Sequence, residues 1–323
     1  MVKYLVGEEM THSDHLMLLY SAIDQSASLY QTELQLSYFE GICKTCENIL
    51  ADDISEADVV LNNRLKEILS QIRTIEFTRE EIRKAMVFSV LKGMKTENQA
   101  IDEVTPDTIG VFLAHLIDLF FPDTKELIVF DPLVGIGNLL ATIANHLRAQ
   151  SVLVGVDHVP ERVQLARALM GMLEYEDQIY CQDTMTFRHL TADVMVSDFP
   201  AEADDKPEWA YEVLHFHHTH LREGAIVLAI VFEDFFDEAH QNAFKKLTLE
   251  TYEPLGLIQL PKELFVKRLK SILILRKKTL LKKPDTFLLA QIPSFTDTEA
   301  MSMVMDRIHQ WFEDHIRKDN HNG

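Results

Sequence analysis

Asp131-Pro132-Leu133-Val134-Gly135-Ile136-Gly137-Asn138 lies between two apolar segments of different character. Before it, Leu127-Ile128-Val129-Phe130 is a short apolar run that reads as a buried strand. After it, an apolar-periodic segment ending near Arg148 reads as a helix. Strand, glycine turn and helix make a cofactor cradle. Glycine lets the backbone pass close to a ligand, and a helix N-terminus favours a negative group.

A second strand, Val152-Leu153-Val154-Gly155-Val156, ends at Asp157, twenty residues after Gly137. In a βαβ unit an acid at the tip of the second strand meets ribose hydroxyls. Such a pair serves either a nicotinamide dinucleotide or S-adenosylmethionine (SAM). The dinucleotide fingerprint needs a third glycine where this chain has Leu140. That substitution, with Asp131-Pro132 opening the loop, favours SAM.

Outward from this core the alternation continues. Pro160 to Met172 reads as a helix with Val163, Ala166, Leu169 and Met170 inward. Short strands follow at Ile179–Gln182, ending at Asp183, and at Asp193–Val196, ending in Ser197-Asp198-Phe199-Pro200. Trp209 to Leu221 is helical, and Gly224–Val231, Leu255–Leu260 and Ser271–Leu275 are strands. Upstream, Thr105 caps a helix with Pro106 at its first position, and Ile109, Phe112, Leu113, Leu116, Ile117 and Phe120 form one stripe. Alternating strands and helices imply an α/β, Rossmann-like fold. The expected sheet is mostly parallel and seven-stranded, with helices on both faces.

Residues 1 to about 100 look all-helical, so the expected division is 1–100 and 101–323. Leu61, Leu65, Ile68, Leu69 and Ile72 recur at helical spacing, and Thr78-Arg79-Glu80-Glu81 has capping-box form. Cys43-Lys44-Thr45-Cys46 has CxxC spacing without a second pair, which favours a helical core pair. The chain has 323 residues, three cysteines, no run of membrane-spanning length and no signal-peptide pattern at its start, which points to the cytoplasm.

The formal net charge of −20 argues against a free-standing, high-affinity nucleic-acid binder. Locally, Lys262 to Lys283 contains nine basic residues and one acid, either a patch for binding or strand-flanking lysines that keep an edge soluble. His215, His217, His218 and His220 crowd one predicted helix. Two faces are used and no nearby cysteine completes a site, so no metal is expected.

Taken together, these motifs resemble those of class I SAM-dependent methyltransferases over about residues 100–280. The branch is that of the N6-adenine DNA methyltransferases, including the modification subunits of Type I restriction systems. Within it the chain looks like a Gram-positive bacterial methyltransferase-like protein with a helical N-terminal domain. The motifs occur in the family's order: Thr105-Pro106, Asp131-Pro-x-x-Gly-x-Gly, Asp157, Asp183, Ser197–Pro200, Leu260-Pro261-x-x-Leu264-Phe265 and the Ser271–Leu275 strand.

The resemblance implies roles residue by residue. Thr105 and Pro106 border the methionine end of SAM. Asp131, Pro132, Gly135, Gly137 and Asn138 form the loop around that end and its amine. Asp157 binds the ribose, with His158 against the adenine, and Asp183-Thr184 lie at the adenine amino group. Asp198 orients the methyl acceptor and Pro200 shapes the loop.

The catalytic motif departs from the family pattern of Asn or Asp, two prolines and an aromatic. Here Asp198 is followed by Phe199, Pro200 and Ala201. Loss of the stacking aromatic costs about 1–3 kcal/mol per base. From Asp198 to Glu208 there are also five acids against one base, Lys206, an acidic lip unsuited to phosphate. The expected function is therefore SAM-dependent N-methyl transfer, with DNA adenine the family's acceptor. The alternatives are a noncatalytic SAM-binding protein acting through a partner or self-association by its N-terminal helices, and a nicotinamide-dependent oxidoreductase.

Overall fold

The computed structural model describes residues 11–97, 104–188, 191–200, 208–265, 268–279 and 286–317. Two compact units emerge: Met1–Ile101 with Gln164–Tyr175, and Asp102–Val163 with Glu176–Gly323.

The first unit contains α1 (His12–Leu34), α2 (Tyr38–Ala51), α3 (Val59–Ser70) and α4 (Arg79–Thr96). Its helix starts are set by local chemistry. Thr11 with Asp14, Ser37 with Glu40, and Thr78 with Glu81 each form a reciprocal capping box that satisfies two orphan amides. The helices bury Leu19, Ile23, Tyr30, Phe39, Ile42, Leu65 and Met86. Cys46 belongs to this core with its Sγ 3.3 Å from Met86 Sδ, whereas Cys43 is half-buried. Arg83, which no hydrophobic pattern marks, is also fully buried and pairs with Glu80 at 2.9 Å.

The second unit is built on one sheet. Its elements run α5 (Asp107–Phe120), β1 (Glu126–Asp131), α6 (Asn138–His146), β2 (Gln150–Asp157), α7 (Pro160–Met172), β3 (Asp177–Cys181) and β4 (Ala192–Asp198). They continue through α8 (Trp209–His217), β5 (Leu221–Phe232), α9 (Gln241–Glu250), β6 (Tyr252–Gln259), β7 (Lys270–Lys277), β8 (Leu288–Gln291) and α10 (Thr298–Phe312). The C-terminal part of α7 groups with the helical unit.

Strand order is β3-β2-β1-β4-β5-β7-β6-β8. The sheet is thus mixed and eight-stranded rather than mostly parallel and seven-stranded. β7 runs antiparallel to both β5 and β6, while β8 pairs parallel with β6. β8 escapes the sequence reading because it is four residues long, with Leu288 buried and Leu289 exposed.

One sheet face carries Phe130, Met195, Val227 and Ala229 into a cluster with Ala210, Val213 and Leu214 of α8. The intervening residues Val129, Val194, Val196 and Leu228 are buried too, so both faces are covered. α6 contacts β1 and β2. Strand order reverses between β1 and β4, which opens a crevice at their C-terminal ends.

Candidate cofactor and acceptor site

Four acids gather at that edge. Asp131 ends β1, Asp157 ends β2, Asp183 follows β3, and Asp198 ends β4. The parallel register that aligns these strand ends follows from the apolar runs, and it turns acids far apart in sequence into neighbours.

The glycine loop is held from both sides. Val134 N–H donates to the Val156 carbonyl at 2.9 Å, and its side chain fills the space beside Gly155, where a Cβ would come within 2.7 Å. Gly135 and Gly137 have φ of 53° and 83°, the left-handed region that side chains avoid. Gly137 caps α6, and Gly135 faces open space. Pro132 is buried at the loop's start.

Asp157 is buried and its two oxygens separate. Oδ2 accepts the Gly135 N–H at 3.2 Å and Oδ1 the Val159 N–H at 2.8 Å. His158 is exposed, its Nδ1 3.8 Å from Asp157 Oδ1. Asp131 accepts the Leu133 N–H at 2.9 Å. Burial, together with the Asp198 and Asp157 charges, pushes the Asp131 carboxyl up to about 7.

Asp183 is exposed and its Oδ1 accepts the Met185 N–H, capping the turn Thr184–Thr186. Thr184 faces inward: its hydroxyl lies 2.8 Å from His217 Nε2, and His217 Nδ1 lies 3.1 Å from His220 Nδ1. Burial drives His217 down to about 3, so this ring is a neutral core group. Among the described residues no group of three or more His, Cys, Asp or Glu could hold a metal.

Thr105 does not cap α5. α5 starts at Asp107 with Pro106 at the cap and no side-chain capping bond. The Thr105 hydroxyl instead donates to Asp198 Oδ2 at 2.9 Å, and its carbonyl accepts from Asn138 Nδ2 at 3.0 Å. A buried carboxylate outcompetes a helix amide because charge-assisted bonds are the stronger ones.

Asp198 has a second partner that sequence reasoning missed. Lys270 Nζ lies 2.6 Å from Asp198 Oδ1, and both side chains are nearly buried. Burial raises the Asp198 pKa while Lys270 and Thr105 oppose that rise. Phe199 lies in the core, and its N–H donates to the Ile230 carbonyl at 2.9 Å. A proline there has no N–H to give. Pro200 is exposed, while Ala201 lies outside the described residues.

Five of the nine basic residues between Lys262 and Lys283 are engaged within the fold. Lys270 and Arg276 are buried in ion pairs with Asp198 and Glu253, and Arg268 pairs with Asp234. Lys277 and Lys278 donate to backbone carbonyls of Leu221 and Leu249. Lys267, Lys282 and Lys283, and most of the acidic lip (Glu202, Asp204, Asp205), lie outside the described residues. No described helix is long and apolar enough to cross a membrane.

This arrangement defines a class: a class I SAM-dependent methyltransferase fold. A crystal structure from Listeria monocytogenes, described as a class I SAM-dependent methyltransferase, superposes with a TM-score of 0.82 at 26% identity, covering 93% of this chain and 99% of that one. The Type I restriction-modification methyltransferase subunit of Streptococcus thermophilus shares the fold, with a TM-score of 0.60 at 14% identity over 92% of this chain and 74% of that one. Residues 17–94 match the YtxK N-terminal helical domain. The uncharacterized YtxK protein of Bacillus subtilis is 29% identical over 93% of this chain and 98% of its own length.

Proposed function

We propose that this protein binds SAM in the Asp131–Gly137 cradle and that its acceptor site does not take a flipped adenine. One observation carries the acceptor half of this reading: the Lys270 ammonium and the Thr105 hydroxyl already occupy Asp198, the residue that would orient a target amine.

The cradle fits the cofactor. Gly135 turns the backbone toward open space, and Asp157 presents a buried carboxylate to the loop. Asp157 would hold the ribose hydroxyls, with His158 beside the base and Asp183 at the adenine amino group. Asp131, with Thr105 and Pro106 beside it, would face the cationic methionine end. Asn138 fixes the Thr105 backbone against the start of α6. SAM supplies an electrophilic methyl, so the protein's share of the chemistry is proximity and orientation.

The Streptococcus neighbour is a restriction-modification methyltransferase subunit, and the resemblance to N6-adenine DNA methyltransferases implies adenine in DNA as the acceptor. Against it stand Lys270 on Asp198, the core placement of Phe199 and the exposed Pro200. Calorimetric titration tests the reading. SAM should bind the native chain, and Asp157→Ala should weaken it by about tenfold or more, since a hydrogen bond to a charged group contributes about 1.5–3 kcal/mol. Native protein that ignores SAM would overturn the cofactor assignment. Labelled methyl incorporated into DNA would overturn the acceptor assignment.

A further inference from the structure

Lys270 opens β7, and the antiparallel register sets it opposite Phe232, the last residue of β5. It is 6% exposed, although lysine ammonium groups almost always reach water. Its Nζ lies 4.5 Å from the Phe232 ring centroid and 5.6 Å from that of Phe265. One carboxylate and two aromatic faces around an ammonium make the environment that recognises methylated lysine.

This ammonium is tied to the cradle. Lys270 bonds Asp198, Asp198 accepts from Thr105, and Thr105 accepts from Asn138, the residue directly after Gly137. The Asp198 charge also acts on Asp131, where the loop begins. A primary amine is therefore fixed beside the cradle with a hydrogen-bond acceptor already in place.

We infer that Lys270 is itself the methyl acceptor of this site, so that the protein methylates its own Nζ from SAM. The inference rests on the cofactor reading above. The Nζ proton passes to Asp198 Oδ1, and the freed lone pair forms a bond to the methyl carbon. The carbon–sulfur bond breaks with its electrons staying on sulfur, releasing S-adenosylhomocysteine and protonated Asp198, which returns its proton to solvent. Burial raises the Asp198 pKa and so strengthens this carboxylate as the acceptor of that proton. The product ammonium keeps an N–H for Asp198 and turns its methyl toward the rings. A third methyl would remove that N–H, so the chemistry stops at the mono- or dimethyl form.

The test uses the intact chain. Peptide mapping by mass spectrometry of the protein as purified should find methyl groups on Lys270. Incubation with deuteromethyl SAM should place label on any unmodified Lys270. Asp198→Asn should bind SAM calorimetrically yet label about a hundredfold more slowly, the loss expected for a missing proton acceptor. Lys270→Arg should carry no label at that position. SAM binding by the native protein with Lys270 unmodified before and after incubation overturns the acceptor assignment and leaves the cofactor reading standing. Absence of SAM binding overturns both.

Discussion

Asp131 and Lys270 illustrate how single buried charges shape this site. Asp131 is held half-neutral near pH 7 by burial and by two neighbouring acids. A ligand whose cationic end faces it favours the ionised form, so SAM binding should expel a proton from Asp131. Titrations near pH 7 in buffers of different ionisation enthalpy should show that release, and affinity should climb as pH rises through 7. Asp131→Asn should lose both effects. Lys270 presents the complementary case. Lys270→Met strands the Asp198 carboxylate, and breaking one side of a buried pair costs about 3–5 kcal/mol. Urea unfolding of Lys270→Met and of the Lys270→Met, Asp198→Asn double variant checks this, because the second change should restore most of the loss.

At the scale of elements, the cradle is a backbone object. Gly135 has φ of 53° with no atom near its would-be Cβ, so the constraint there is the left-handed turn and not crowding. Gly135→Ala should cost about 1–2 kcal/mol in thermal unfolding, while Gly155→Ala should cost stability by displacing Val134. Thr78→Ala should remove a capping box from α4 and lower stability by about 1 kcal/mol. These elements were legible because their signals are local: capping residues, apolar periodicity, glycines in a turn, acids at strand tips. The antiparallel insertion of β7 was not, because Ser271–Leu275 is an apolar run that fits either direction and its direction is set by β5 and β6. Lys270 was hidden for a related reason. In sequence it is one cation in a basic run, and only the pairing of β7 with β5 brings it to Asp198. Thr105 misled because a threonine before Pro106 has capping form, and the competing carboxylate lies 93 residues away in sequence.

For the whole molecule, acid stability is the sum of opposed buried titrations. Asp131 has its pKa raised from 3.8 to about 7, so its stabilising contribution is fully present below about pH 4 and is lost as pH rises through 7. His217 has its pKa lowered from 6.5 to about 3, so its contribution is present above 6.5 and is lost as pH falls toward 3. His115, half-buried 2.8 Å from His309, is also shifted down and loses stability in the same direction. Between about pH 4 and 6.5 the acid and the histidines pull against each other, which flattens the native profile. Asp131→Asn removes one side of that balance. Above pH 7 the variant should unfold at higher urea than the native chain, by an amount on the order of a few kcal/mol. On acidification it should lose stability more steeply, because the Asp131 titration no longer opposes that of the histidines. Urea midpoints at pH 5, 6.5 and 8 separate the outcomes. Parallel curves for variant and native chain would mean that Asp131 is ionised throughout and that the acid cluster at the strand tips is better solvated than its burial implies.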